Sequence, residues 1–246
     1  MKDLNYKIIA TGDITLHQAK RLKIVKISDK KSAIIEKVWQ NSLRKDRKLF
    51  NGLLLNFAAL NIRENKINLN GNFVEYKQFI ASRKRPDLKI KIKPISVSGM
   101  IITKDDGVDY AVFAKRTSRV TDYPNFFELV PSGSIDREFV LKNGDIDYKA
   151  KLLSEFSEET GLPKSYAKQI YGFALVLDKS KKIYDICCII LINKDRATIV
   201  KYFIKSKEYR DVMFIPLKDL DTFVKTKTNL IVPTSMALIK AFGKLS

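Results

Sequence analysis

The sequence predicts an α+β protein, in which a sheet sandwiched by helices is preceded by a small α+β module. Three observations predict it. Beyond Pro94, apolar runs of strand length alternate with helical stripes. Just before that change, Arg83-Lys84-Arg85-Pro86-Asp87 punctuates the chain with charge and proline. The charge is also uneven: residues 1–93 carry 22 basic and 8 acidic side chains, a surplus of 14, whereas 94–246 carry 24 and 19, a surplus of 5. A basic amino-terminal module at 1–93 and a larger domain at 94–246 follow.

Taken in order, residues 32–46 place Ile34, Ile35, Val38, Trp39 and Leu43 on one helical stripe, with Ser32 as the N-cap. Residues 53–62 and 66–69 read as strands around the polar turn Arg63-Glu64-Asn65, and 73–83 as a short helix. Residues 96–103 and 109–114 are strands joined by Lys104-Asp105-Asp106-Gly107, whose Asp-Gly end is a hairpin signal. A short strand at 127–130 runs into Pro131-Ser132-Gly133. Residues 147–160 form a helix that Asp147 caps and Gly161 stops, with Pro163 just beyond. Strands at 169–177 and 183–192 come next, then helices near 196–205, 217–224 and 233–242.

Composition narrows the functional classes. The 246 residues are 45% hydrophobic, enough for a sizeable core. No run approaches the ~18 to 20 apolar residues of a membrane span, and the N-terminus lacks the apolar stretch of a signal peptide. A soluble, cytoplasmic protein is the expectation. Cys187 and Cys188 are adjacent in the apolar run 186–192, so their side chains point to opposite faces of a strand as packing residues. His17, the one histidine, is given no catalytic role.

The chemistry shows on the helix at 147–160. Leu152, Leu153 and Phe156 fall within an arc of roughly 100°, and Glu155, Glu158 and Glu159 within another centred roughly 120° away. Like charges at these spacings repel, and the last turn of a helix disfavours anions. Helix stability therefore does not explain them. Carboxylates clustered on a rigid element are what a hard divalent cation such as Mg²⁺ or Mn²⁺ requires; the bland alternative is a solvated acidic face.

Gly133 together with Ser154-Glu155-Phe156-Ser157-Glu158-Glu159-Thr160-Gly161-Leu162 resembles the signature box of the Nudix hydrolases. The resemblance implies a Nudix-type α/β/α sandwich and metal-dependent hydrolysis of a nucleoside diphosphate derivative. It also implies that Glu155, Glu158 and Glu159 hold the metals, with the Gly133 carbonyl beside them. The chain departs from the pattern in three ways. Gly133 stands 22 residues before Glu155, a longer spacing than the family's. Asp145 replaces an earlier glutamate, and Ser154 an arginine that orients the metal-binding carboxylates; Lys151, one turn before Glu155, is the partial substitute.

A narrower resemblance rests on Val38-Trp39, Leu49-Phe50-Asn51-Gly52 and Tyr76-Lys77-Gln78-Phe79-Ile80. These are similar to the amino-terminal module of the two-domain Nudix branch that includes the eukaryotic UDP-glucose and UDP-galactose diphosphatase. That branch shares the longer loop and lacks the arginine, and it implies a UDP-sugar split into UMP and a sugar 1-phosphate. By the same resemblance, Asp185, Glu208 and Asp211 are candidates for the proton-accepting carboxylate. Arg116 and Arg119 are candidates to clamp substrate phosphates.

Two other classes stay open. One is an RNA-end pyrophosphatase whose basic module grips RNA; the other is a non-catalytic binding protein of the same fold, and a homodimer is open in each case. Nucleic acid is not favoured. The lysines are scattered from Lys20 to Lys93, and Trp39, Phe50, Phe57 and Phe73 are expected to be committed to packing.

Overall fold

A computed structural model describes residues 5–19, 27–120, 122–203, 206 and 208–244. Its strands are β1 (Tyr6–Thr11), β2 (Asp13–Gln18), β3 (Leu53–Arg63), β4 (Lys66–Glu75), β5 (Ile95–Asp105), β6 (Val108–Arg116), β7 (Phe127–Leu129), β8 (Ser132–Ser134), β9 (Ala167–Asp178), β10 (Ile183–Ile192) and β11 (Tyr209–Pro216). Its helices are α1 (Asp29–Lys45), α2 (Tyr76–Lys84), α3 (Tyr148–Thr160), α4 (Arg196–Phe203), α5 (Leu220–Lys227) and α6 (Pro233–Phe242).

The main sheet runs β1-β9-β10-β5-β6-β11, with β7 on β6 and β8 on β5; β10 and β5 are parallel, and the other pairs are antiparallel. The period-2 pattern of its strands builds a core on each face. Ile186, Cys188 and Ile190 pack with Val97, Ile101 and the α3 residues Leu152 and Phe156. Cys187 and Ile189 pack on the other side with Met100, Phe113 and the α6 residues Ala237, Leu238 and Ala241. The sheet is thus sandwiched by helices, as expected, and both cysteines are buried and free.

The smaller sheet, β2-β4-β3, buries Ile14, Leu16, Leu55, Ile67 and Leu69 in the same core as α3. Phe57 of β3 stacks on Tyr184 of β10 with ring centroids 4.3 Å apart. β1 leaves this unit and pairs with β9. The crossing from β1 to β2 is made at Gly12, whose φ of +144° suits glycine, and a Cβ there would stand 2.0 Å from the Asn65 carbonyl oxygen.

Several boundaries differ from the sequence reading. α1 begins at Asp29 after Ser28, so Ser32 lies one turn inside, its N–H donating to the Ser28 carbonyl. Asp29 adds favourable charge to that first turn. α2 begins at Tyr76, because Glu75 and Gln78 form a reciprocal capping box and residues 73–75 stay in β4. The helix expected at 196–205 is described as far as Phe203; residues 204 and 205 lie outside the described residues. Phe50 corrects the expectation of burial: it is 80% exposed, since it lies in the loop before β3, outside any apolar face. Among the described residues, no helix is long and apolar enough to cross a membrane.

Candidate active site

The sheet parts at one end, and the site lies in the opening. β5 and β6 pair only from Ile102–Ala111 to Asp105–Val108. Toward its start β5 pairs instead with β8, and the end of β6 pairs with β7. Strands that separate this way expose backbone and inward side chains to a cleft. The cleft measures about 270 Å³, and its lining includes Ser98, Arg116, Glu128, Gly133, Asp178 and Asp185.

α3 is fixed against this opening by its caps and its apolar face. Asp147 accepts a hydrogen bond from the Ala150 N–H at 2.9 Å, and Gly161 takes φ +74° at the other end. With Leu152 and Phe156 fully buried, the glutamates on the flank of the helix fall over β8. Glu155 lies on Gly133: a Cβ at that glycine would stand 2.2 Å from Glu155 Oε1. The need for glycine there is thus close approach of a carboxylate, and not a left-handed backbone. Gly133→Ala is expected to push Glu155 aside and lower activity by about tenfold with little loss of stability, because a misplaced catalytic group costs rate before it costs packing. Paired kinetics and thermal unfolding check this; unchanged activity would separate Glu155 from the chemistry.

Glu159 goes deeper, at 7% exposure, and accepts from the Ser132 N–H at 3.2 Å and the Tyr209 hydroxyl at 3.1 Å. Burial, with Glu128, Glu208 and Glu155 nearby, pushes its carboxyl well above the usual range. Glu155 is raised too, by burial first, although Lys151 opposes this with an ion pair of 2.6 Å. Lys151 also holds Asp136 at 2.7 Å. Glu158 is exposed and accepts from the Ser154 hydroxyl at 2.7 Å.

Among the other expected residues, Asp185 and Arg116 line the cleft. Asp185 is 2% exposed and accepts from the Ser98 hydroxyl at 2.6 Å through Oδ2, while its Oδ1 has no hydrogen-bond partner. Burial raises this carboxyl to about 7. Arg116 pairs with Glu128. Glu208 is exposed, yet its charge acts on Glu159. Asp211 stands apart beside Arg210, in a hollow with Val200 and Phe203, and Arg119 is exposed outside the cleft lining. Asp145, in the turn ahead of α3, contacts His17 at 2.5 Å.

Sequence reasoning missed Glu128 and Tyr209. Glu128 is buried and accepts from Arg116 and the Ser132 hydroxyl, and it shares the single Tyr209 hydroxyl proton with Glu159. A lone acid inside the apolar run Phe126-Phe127-Glu128-Leu129-Val130 was its signal. Tyr209 carried none, because its hydroxyl joins Glu128 and Glu159 only through the fold.

Among the described residues, no group of three His, Cys, Asp or Glu side chains stands ready to hold a metal ion. Their partners explain this: Lys151 takes Glu155, Ser154 takes Glu158, and Tyr209 with Ser132 takes Glu159. The donors still fit a hard divalent cation in kind, being carboxylate oxygens packed against adjacent residues of β8 and crowded by like charge.

No protein-family pattern and no curated protein matches the chain. Solved structures similar to it include the Nudix domain of Shewanella oneidensis NrtR complexed with ADP ribose, at 15% identity and TM-score 0.43, over 64% of this chain and 92% of that one. A C. elegans Ap4A hydrolase binary complex follows, at 12% identity and TM-score 0.38 over 61% and 96%. The Nudix hydrolase RenU from M. smegmatis is similar at 9% identity and TM-score 0.39 over 61% and 84%. At these identities and scores the likeness carries no assignment of activity.

Proposed function

We propose that the chain is a Nudix-type, metal-dependent hydrolase that cleaves the diphosphate bond of a nucleoside diphosphate derivative, with a UDP-sugar as substrate. The observation that carries this reading is the meeting of Glu155 and Glu159 with Ser132 and Gly133 at a cleft that also contains Asp185. In the signature the chain resembles, these glutamates and this glycine belong to one site.

Glu155 and Glu159, with Glu158 and the Gly133 carbonyl, are the proposed holders of Mg²⁺ or Mn²⁺. A divalent cation there supplies charge neutralisation of the diphosphate oxygens and a lowered pKa for water. Asp185, inside the cleft with one unpartnered oxygen, is the proposed proton acceptor ahead of Glu208 and Asp211. Arg116 lines the cleft and pairs with Glu128, and phosphate contact is the further role proposed for it. Lys151 holds Glu155 until the site is loaded.

With UDP-glucose in ¹⁸O water and Mg²⁺ or Mn²⁺, the expected products are UMP and glucose 1-phosphate, with label in a phosphate. Water attacks phosphorus in this reading. Label in free glucose alongside UDP would show glycosidic cleavage and overturn it.

A further inference from the structure

A second cleft, of about 680 Å³, lies between the amino-terminal module and the β9–β10 hairpin. Arg83, Lys91, Lys93, Lys181 and Lys182 line it, and no acidic residue does. They come from separate segments: the end of α2, the extended stretch before β5, and the hairpin turn. In the extended stretch, Ile90 and Ile92 are buried in the module's core while Lys91 and Lys93 alternate outward. Among the described residues, only Lys181 of the five has a carboxylate partner, Asp122. The other four share one hollow without a carboxylate partner, an arrangement that an entering anion would stabilise.

The hairpin turn is also fixed in place. Buried Asp178 accepts from the Ser180 hydroxyl at 2.7 Å, the Lys181 N–H at 2.9 Å and the Tyr123 hydroxyl at 2.9 Å. Arg83 is tied to the same turn through the Lys181 carbonyl at 2.7 Å, with its guanidinium 4.5 Å over the Phe79 ring. Arg83 and the turn that carries Lys181 and Lys182 are therefore held in place before any ligand arrives, which lowers the entropic cost of binding one.

We propose that this cleft is an anion site for a chain of condensed phosphates, free or carried on a nucleoside. Its aromatic neighbours argue against a single strand of nucleic acid gripped by its bases. Phe79 is covered by Arg83, while Tyr184 has Phe57 stacked on it and the Lys93 ammonium 5.9 Å from its ring. Bases would find few faces on which to stack, whereas phosphates need only the charge. The site is separate from the hydrolase reading and does not rest on it, although Lys181 lines both clefts.

The test is calorimetric titration of the whole chain, without divalent metal, using sodium tripolyphosphate, ATP and a 20-nucleotide RNA. The double variant Lys91→Glu/Lys182→Glu and the milder Lys91→Gln/Lys182→Gln are compared with the parent, and circular dichroism verifies their folds. Tripolyphosphate is expected to bind and to weaken with added salt. The charge-reversed pair should lose at least ~10-fold in affinity and the glutamine pair less, while Glu159→Gln stays as the parent. Equal binding of ATP would assign recognition to the phosphates alone, and tighter ATP to a nucleoside carrier. No heat with either at two different temperatures, or a loss on Glu159→Gln but not on the lysine variants, would overturn the site. RNA bound ~100-fold more tightly than tripolyphosphate would replace it with a nucleic-acid grip.

Discussion

Glu159→Gln is expected to reduce turnover by at least ~10²-fold while the protein stays folded, since a carboxylate proposed to hold the metal becomes neutral. The two halves of that expectation have separate causes. Folding survives because the amide keeps an oxygen that accepts from the Ser132 N–H and the Tyr209 hydroxyl, in a pocket where burial and Glu128 already favour an uncharged group. Activity falls because the lost charge is the one that a divalent cation would meet. Glu155→Gln should act in the same direction, and it also frees Lys151 to Asp136 alone. Steady-state kinetics beside thermal unfolding checks both variants. Near-normal rates in both would remove these glutamates from the chemistry.

What the sequence made legible was the part coded by local signals. α3 could be placed because Asp147, Gly161 and the stripe Leu152–Phe156 all lie within it, and the β5–β6 hairpin because Asp-Gly marks its turn. β1 and β2 escaped because what makes them strands is distant: β1 needs Ala174 to Asp178 of β9, and β2 needs β4 in parallel. The site divides the same way. The spacing of Glu155 and Glu159, the glycine at 133, and acids on later strands can be read along the chain. That Asp185 enters the cleft while Asp211 faces another hollow depends on how β10 and β11 sit in the sheet, with β5 and β6 between them. Exposed Phe50 shows the reverse limit, since an aromatic residue near a strand is buried only if a face is there to receive it.

Asp185→Asn is expected to flatten the pH dependence of stability in metal-free protein. In the folded state burial raises this carboxyl to about 7, against Ser98 and Ser96, which lower it, and with Glu128 and Asp178 adding to the rise; its ordinary value is 3.8. Below the ordinary value both folded and unfolded chains hold the proton, so the group contributes its full stability there. As the pH rises from there to about 7, the unfolded chain gives the proton up first, and stability falls. A shift of that size corresponds to about 4 kcal/mol in all, of which roughly 2 to 3 kcal/mol is lost between about pH 5 and about pH 8. Asparagine still accepts from Ser98 and carries no charge, so it escapes that loss. Urea unfolding in EDTA at the two pH values should show the variant gaining on the parent by that amount at the higher one. Equal gaps at both would mean that Asp185 is ionised across the range. A carboxyl that parts with its proton near neutrality can accept one from water in that same range, so the outcome also bears on the proposal that Asp185 is the proton acceptor.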